Sequence, residues 1–202
     1  MIKLFESPPR SIKFKKIKIP VSASFSTVLK INEILNDDLL TSTEKIDLCV
    51  DVILRIKLSK FISFHWKEMI FSLFVDQILH FDDNKNNSTK VLDFTQDAEY
   101  IFSAFFQTYH INLFKDKIHW WNFLMLLGGL PENTRLMEIV SIRSRPLPKP
   151  TKYNAEERAA LIKLKMQFAL KLSPEERKQK YQEGLQNMAK TLISLSQKSK
   201  NG

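Results

Sequence analysis

IHWWNFLMLLGGLP, residues 118–131, carries a histidine and two adjacent tryptophans into an apolar run closed by two glycines and a proline. Its length and apolar content predict a helix from about Ile118 to Leu127, with Gly128 and Gly129 able to take the left-handed conformation that ends helices. Neighbours on a helix lie about 100° apart, so Trp120 and Trp121 cannot share one face. Both can be buried, one on each side of a helix sandwiched between others. Alternatively, one of them anchors a protein interface, where tryptophan is enriched among the residues that dominate binding. In either case the stretch reads as the central packing helix of a helical body.

Composition agrees with that reading. The chain has 202 residues, 44% of them hydrophobic, enough for one core or for one domain with an appendage. Only 4 glycines are present, which argues against a turn-rich β fold. The expected architecture is mainly α: a helical body over 1–145 with short N-terminal strands, a Pro-rich linker over 146–153, and a basic helical arm over 154–202.

Working towards the N-terminus, Asp93 and Gln96 predict a helix start, followed by Ala98, Ile101, Phe102, Phe105 and Tyr109 at helical spacing. Residues 82–90, DDNKNNSTK, read as a loop, and 61–81 as a helix apolar on more than one face. Thr41 and Glu44 form a capping box ahead of the stripe Ile46, Cys49, Val50, Ile53, Leu54. Another helix runs from Phe25 to Leu35 until Asn36, Asp37 and Asp38 break it, and SIKFKKIKIPV (11–21) alternates as one or two short strands. No glycine is available there for a turn between paired strands.

Towards the C-terminus, residues 134–143 predict a short helix. Prolines at 146, 148 and 150 then exclude helix and make a semi-rigid linker. Asn154 with Glu157, and Ser173 with Pro174 and Glu176, read as capping boxes for arm helices over about 155–171 and 174–196. Their apolar stripes are narrow: Leu161, Leu164 and Phe168, then Tyr181, Leu185, Met188, Leu192 and Leu195. Each helix therefore needs a covering surface from the body, a second copy or a partner.

The residues offer little chemistry. His65, His80, His110 and His119 form no pair at metal-ligand spacing, and there is no Gly-rich phosphate loop or Gly-x-Ser-x-Gly elbow. Acidic pairs at 37–38 and 82–83 sit in turn-like contexts. Cys49, the single cysteine, lies on an apolar stripe and reads as a buried small hydrophobe in a reducing compartment. The expectation is a non-enzymatic protein with no metal or cofactor. The N-terminus lacks a signal-peptide core, and no uncharged run reaches the roughly 20 residues of a membrane span.

Charge is unevenly placed. Residues 1–140 hold 17 Lys+Arg and 17 Asp+Glu, whereas 141–202 hold 14 and 5, so the formal charge of +9 resides in the C-terminal third. Such an arm can meet a polyanion, and nucleic-acid binding through 152–200 is the alternative function. Glu156, Glu157, Glu175, Glu176 and Glu183 interrupt the basic residues, however, and no nucleic-acid motif is visible. Solvated basic helices are also common without an anionic ligand.

Three segments carry a resemblance: DFTQDAEYIFSAFFQTYHINL (93–113), IHWWNFLMLLGGLPENTRLMEIVSIR (118–143) and EERAALIKLKMQFAL (156–170). Together they resemble the bacteriophage family named for gene product fifteen of a Listeria phage. That family's order of an Asp-Ala-Glu helix, a His-Trp-Trp-x-Phe segment, a Leu-Pro-x-x-Thr turn and an Ile-Arg helix end is kept across roughly 20–170. His119, Trp120, Trp121, Phe123, Leu130, Pro131, Thr134, Ile142 and Arg143 match its central motif. The resemblance implies a tail assembly chaperone of long-tailed phages, acting in the host cell cytoplasm on the tape-measure protein and recruiting tail-tube subunits. A structural tail component is a further alternative, and self-association is compatible with either. On this reading the candidate partner contacts are Trp120, Trp121, Phe123 and Arg143 in the body, and Lys163, Lys165, Phe168, Arg177, Lys178, Tyr181 and Leu185 in the arm.

Overall fold

Two antiparallel strands open the computed structural model, which describes residues 7–54, 62–79 and 90–171. Strand β1 (Ser11–Phe14) pairs with β2 (Ile17–Pro20), placing Ile12 opposite Ile19 and Phe14 opposite Ile17. The two-residue loop manages without glycine because Lys15 takes φ 53°, in the left-handed region where a Cβ is strained. Ile12 is fully buried and roots the hairpin in the core.

Helix α1 (Phe25–Leu35) starts at Ser24, whose Oγ accepts from the Thr27 N–H at 3.3 Å. Its start is tied to two other elements. The Ser22 N–H donates to the Ile53 carbonyl (2.8 Å) at the end of α2 (Ser42–Leu54). The Phe25 N–H donates to Ile118 (3.0 Å), and the Trp120 N–H donates back to Ala23 (2.8 Å). The entries to α1 and to α5 (Trp120–Gly128) are thus fastened to each other across almost a hundred residues of sequence.

The capping box ahead of α2 forms as its spacing predicts: the Thr41 N–H donates to Glu44 Oε2 at 2.9 Å, and the Glu44 N–H donates to Thr41 Oγ1 at 3.3 Å. Cys49, Val50 and Ile53 on this helix are completely enclosed. The 61–81 segment is not one regular helix. Helix α3 (Phe64–Phe74) runs into a π-helical turn, Val75–Leu79. This wider turn aims Gln77 at the hairpin, where its side-chain amide accepts from the Lys13 N–H (2.8 Å) and donates to the Lys13 carbonyl (3.0 Å), serving the open edge of β1 as a third strand would. Lys67 of α3 is buried and pairs with Asp47 of α2 at 2.8 Å.

Helix α4 (Ala98–Tyr109) begins later than Asp93 suggests. The Asp93 carboxylate caps a preceding turn, accepting from the Thr95 and Gln96 N–H groups at 2.9 and 2.8 Å, and the helix proper follows Asp97. Two further expectations are corrected. Gly128 and Gly129 do not adopt a left-handed conformation; Gly129 has φ −95°, and what its small size permits is the approach of the Tyr109 hydroxyl, which donates to the Leu126 carbonyl at 2.9 Å. Nor is α5 enclosed on every side, because Leu124 and Met125 remain exposed on its outer face. Helix α6 (Arg135–Ser144) starts at Thr134, whose Oγ1 accepts from the Met137 N–H at 3.4 Å.

Between Arg145 and Pro146 the chain divides into two compact units. In the second, Pro146–Pro150 has no regular structure and α7 spans Ala155–Gln167. The capping box between Asn154 and Glu157 does not form. The Asn154 side chain instead accepts from the Thr151 N–H (2.8 Å) and donates to the Lys149 carbonyl (2.9 Å), closing the turn before the helix. The cap at 173–176, the second arm helix, the 82–89 loop and the candidate contacts Arg177, Lys178, Tyr181 and Leu185 lie outside the described residues. Mainly α with a small N-terminal β element is the architecture observed.

Candidate functional site

Phe123 sits at the centre of the first unit's aromatic core, stacked on Phe25 (4.9 Å between centroids), Phe105 (5.1 Å) and Trp120 (5.7 Å), with Phe94 tilted against it at 5.9 Å. Rings from α1, α4, α5 and the turn before α4 meet there. Offset and tilted pairs of this kind add about 0.5–1.5 kcal/mol each beyond the area they bury.

This cluster does not close on its outer side. Between α1 and α4 lies a groove of about 580 Å³ whose floor is Phe25, Phe94 and Phe123 and whose walls are Leu29, Phe102 and Leu113. Phe114 stands at its rim, 85% exposed, its ring 4.8 Å from Phe102, and Phe106 continues the row at 6.0 Å, half exposed. Glu33 and Glu99, with Lys30, supply the charges at the mouth. Ala98, a stripe residue in the sequence, is exposed and also lines the groove.

Such a site has no nucleophile with an adjacent base and no cluster of acids. It can hold apolar side chains and orient them with a few charges, which is how grooves receive amphipathic helices. Among the described residues, no group of three or more His, Cys, Asp or Glu is arranged to hold a metal ion. Nor is any described helix long and apolar enough to cross a membrane.

Several motif residues are tied into the fold by hydrogen bonds. Trp120 is buried, while Trp121 is half-buried and donates its indole N–H to the Ile78 carbonyl in the π-helical turn at 2.6 Å. His119 caps α5: Nδ1 accepts from the Trp121 N–H at 3.1 Å, and Nε2 bonds the Pro9 carbonyl at 2.9 Å. Those two bonds define a neutral ring protonated at Nε2. Burial pushes the His119 pKa below its ordinary value and the nearby Arg10 charge adds to this, against the opposing pull of the Pro9 carbonyl. Arg143 donates from Nη1 and Nη2 to the two oxygens of Asp97, at 2.7 and 2.9 Å, and from Nη1 to the Val91 carbonyl at 3.0 Å.

A family model described as Bacteriophage Gp15 protein matches residues 5–170, most of the chain. The chain belongs to this family. The matched span holds the whole helical body, the linker and α7. No protein of curated function and no solved structure matches the chain.

The candidate contacts differ in their surroundings. Trp120 is buried and Arg143 is paired with Asp97, while Phe123, itself buried, contributes to the lining of the groove. Trp121 is engaged with Ile78. On α7, Lys163 is exposed and Lys165 half-buried, and Phe168, just after the helix, is half-buried. The groove itself was missed from sequence. Its signal is the pair Phe102 and Phe106, four residues apart and off the buried face of Ile101, Ala104 and Phe105, with the isolated Phe114 beyond the helix.

Proposed function

We propose that this phage protein is a non-enzymatic tail assembly chaperone that holds segments of the tape-measure protein in the α1–α4 groove in the host cytoplasm. The observation that carries the reading is an aromatic-floored groove left open beside a well-filled core. Evolution of a stable monomer alone does not need Phe114 and Phe106 in water. Family membership supports the phage context, and the groove supplies a binding mode suited to a long helical client.

Two or three large apolar client side chains entering this groove contribute on the order of 1.5–3 kcal/mol each. Part of that is spent on ordering the client, which leaves a complex that can be released when the tail tube assembles. Tail-tube subunits are a second partner class, recruited to the coated client.

Co-expression with the cognate tape-measure protein tests the proposal. The client should become more soluble and co-purify; unchanged solubility with no co-purification would sink it. The basic arm remains open to a polyanion, and a salt titration with duplex or single-stranded nucleic acid reads that out, since phosphate contacts weaken steeply with salt.

A further inference from the structure

Within the near-neutral body, basic charge is concentrated in one short stretch. Arg10, Lys13, Lys15, Lys16 and Lys18 fall within nine residues that contain no acid, while residues 19–140 hold 11 basic and 16 acidic residues. That stretch is the hairpin. Its tip, Lys15 to Lys18, is exposed throughout, and Ile17 stands 61% exposed between two lysines. The groove is apolar, about 580 Å³, and its charged lining residues are Glu33, Glu99 and Lys30, so acid outnumbers base there.

From this complementarity we propose that, without a client, the groove of one copy receives the Lys15–Lys18 hairpin tip of a second copy. Ile17 enters the aromatic trough, and Lys16 and Lys18 lay their alkyl stems on its walls while their ammonium groups reach Glu33 and Glu99. Every copy offers both a tip and a groove, so the contact is heterologous and joins copies head to tail. The groove is thereby covered until a client displaces the neighbour. That regulatory consequence rests on the chaperone reading, whereas the self-association does not.

Analytical ultracentrifugation of the full chain alone tests it, across concentration at low and high salt, with circular dichroism confirming that variants fold. The wild type should form oligomers that dissociate as salt rises. Lys16→Glu with Lys18→Glu, and Glu33→Lys with Glu99→Lys, should each weaken association by about tenfold or more, because each variant sets like charges against one another. Mixing the two variants restores opposite charges at the contact and should restore association. A wild-type monomer at every concentration, oligomers indifferent to both reversals, or a mixture that stays monomeric would each overturn the proposal. Intact self-association with no capture of the tape-measure protein would count against the chaperone reading alone.

Discussion

Arg143 and Asp97 form a two-pronged ion pair inside the body, with Asp97 1% and Arg143 10% exposed at the side chain. The pair joins the end of α6 to the start of α4, and the Arg143 bond to Val91 also fixes the segment leading into α4. Truncating one partner leaves the other charge buried and uncompensated. Asp97→Ala should therefore cost about 3–5 kcal/mol, read from the urea midpoint. Arg143→Met together with Asp97→Leu should cost clearly less than the two single truncations added together. Additive losses would show that the two residues act independently.

His119 makes stability pH-dependent. Its pKa is lowered in the folded state, chiefly by burial, so the unfolded chain binds the proton more readily. Stability from this group is full above the ordinary histidine value of about 6.5 and is lost as pH falls through the folded value. Protonation also removes the Nδ1 lone pair that caps the Trp121 N–H. Urea midpoints at pH 7.5 and 5.5 should differ in the wild type, and His119→Asn, which keeps a capping acceptor but does not titrate, should shrink the difference.

Neighbouring glycines should respond oppositely to alanine. At Gly128 an added Cβ meets nothing within 4 Å, so Gly128→Ala should stabilise by roughly 0.5–1 kcal/mol through helix propensity and unfolded-state entropy. At Gly129 the Cβ would lie 3.3 Å from the Tyr109 hydroxyl and 3.4 Å from the Met125 carbonyl, pushing on the bond that holds the end of α5. Gly129→Ala should destabilise, by about 1 kcal/mol if the Tyr109 bond is lost. Thermal melts of both variants give the signs.

Lys15 carries backbone strain at φ 53°, so Lys15→Gly should raise stability, by up to about 1 kcal/mol. A fall in the melting temperature would mean that the Lys15 ammonium over the Phe14 ring, 5.4 Å from its centre, outweighs the strain.

Cys49 is fully enclosed, and burial raises its thiol pKa to about 11. Iodoacetamide at pH 8 should leave it unmodified in the native protein and label it at the rate of global unfolding. Rapid labelling without unfolding would contradict the packing of α2.

Local signals were the most legible part of this chain. The capping box at Thr41 and Glu44, the stripe holding Cys49, Val50 and Ile53, and the stop after Leu35 are all encoded within a few residues of one another. Long-range pairings were not. Nothing near Arg143 in sequence announces Asp97, and Gln77 reaches Lys13 only because a π-helical turn reorients it. The same limit applies to the groove. The motif His119 to Phe123 is conspicuous in sequence and fastens the start of α5 through the His119 cap, whereas the groove joins Phe25 and Leu29 to Phe94, Phe102 and Phe114, which lie far apart in sequence. Asn154 shows the limit on a smaller scale, since a sequence with a capping-box pattern used its amide to close the preceding turn.

Placing a photo-reactive phenylalanine analogue at Phe114, on the groove rim, tests the central claim most directly. Irradiation of cells assembling the cognate tail, followed by mass spectrometry of the adducts, should yield crosslinks to the tape-measure protein. They should be lost when Leu29→Asp and Phe102→Asp spoil the groove in a chain that remains folded. Irradiated cells in which Phe114 never captures the tape-measure protein, although that protein is being made, would contradict the account.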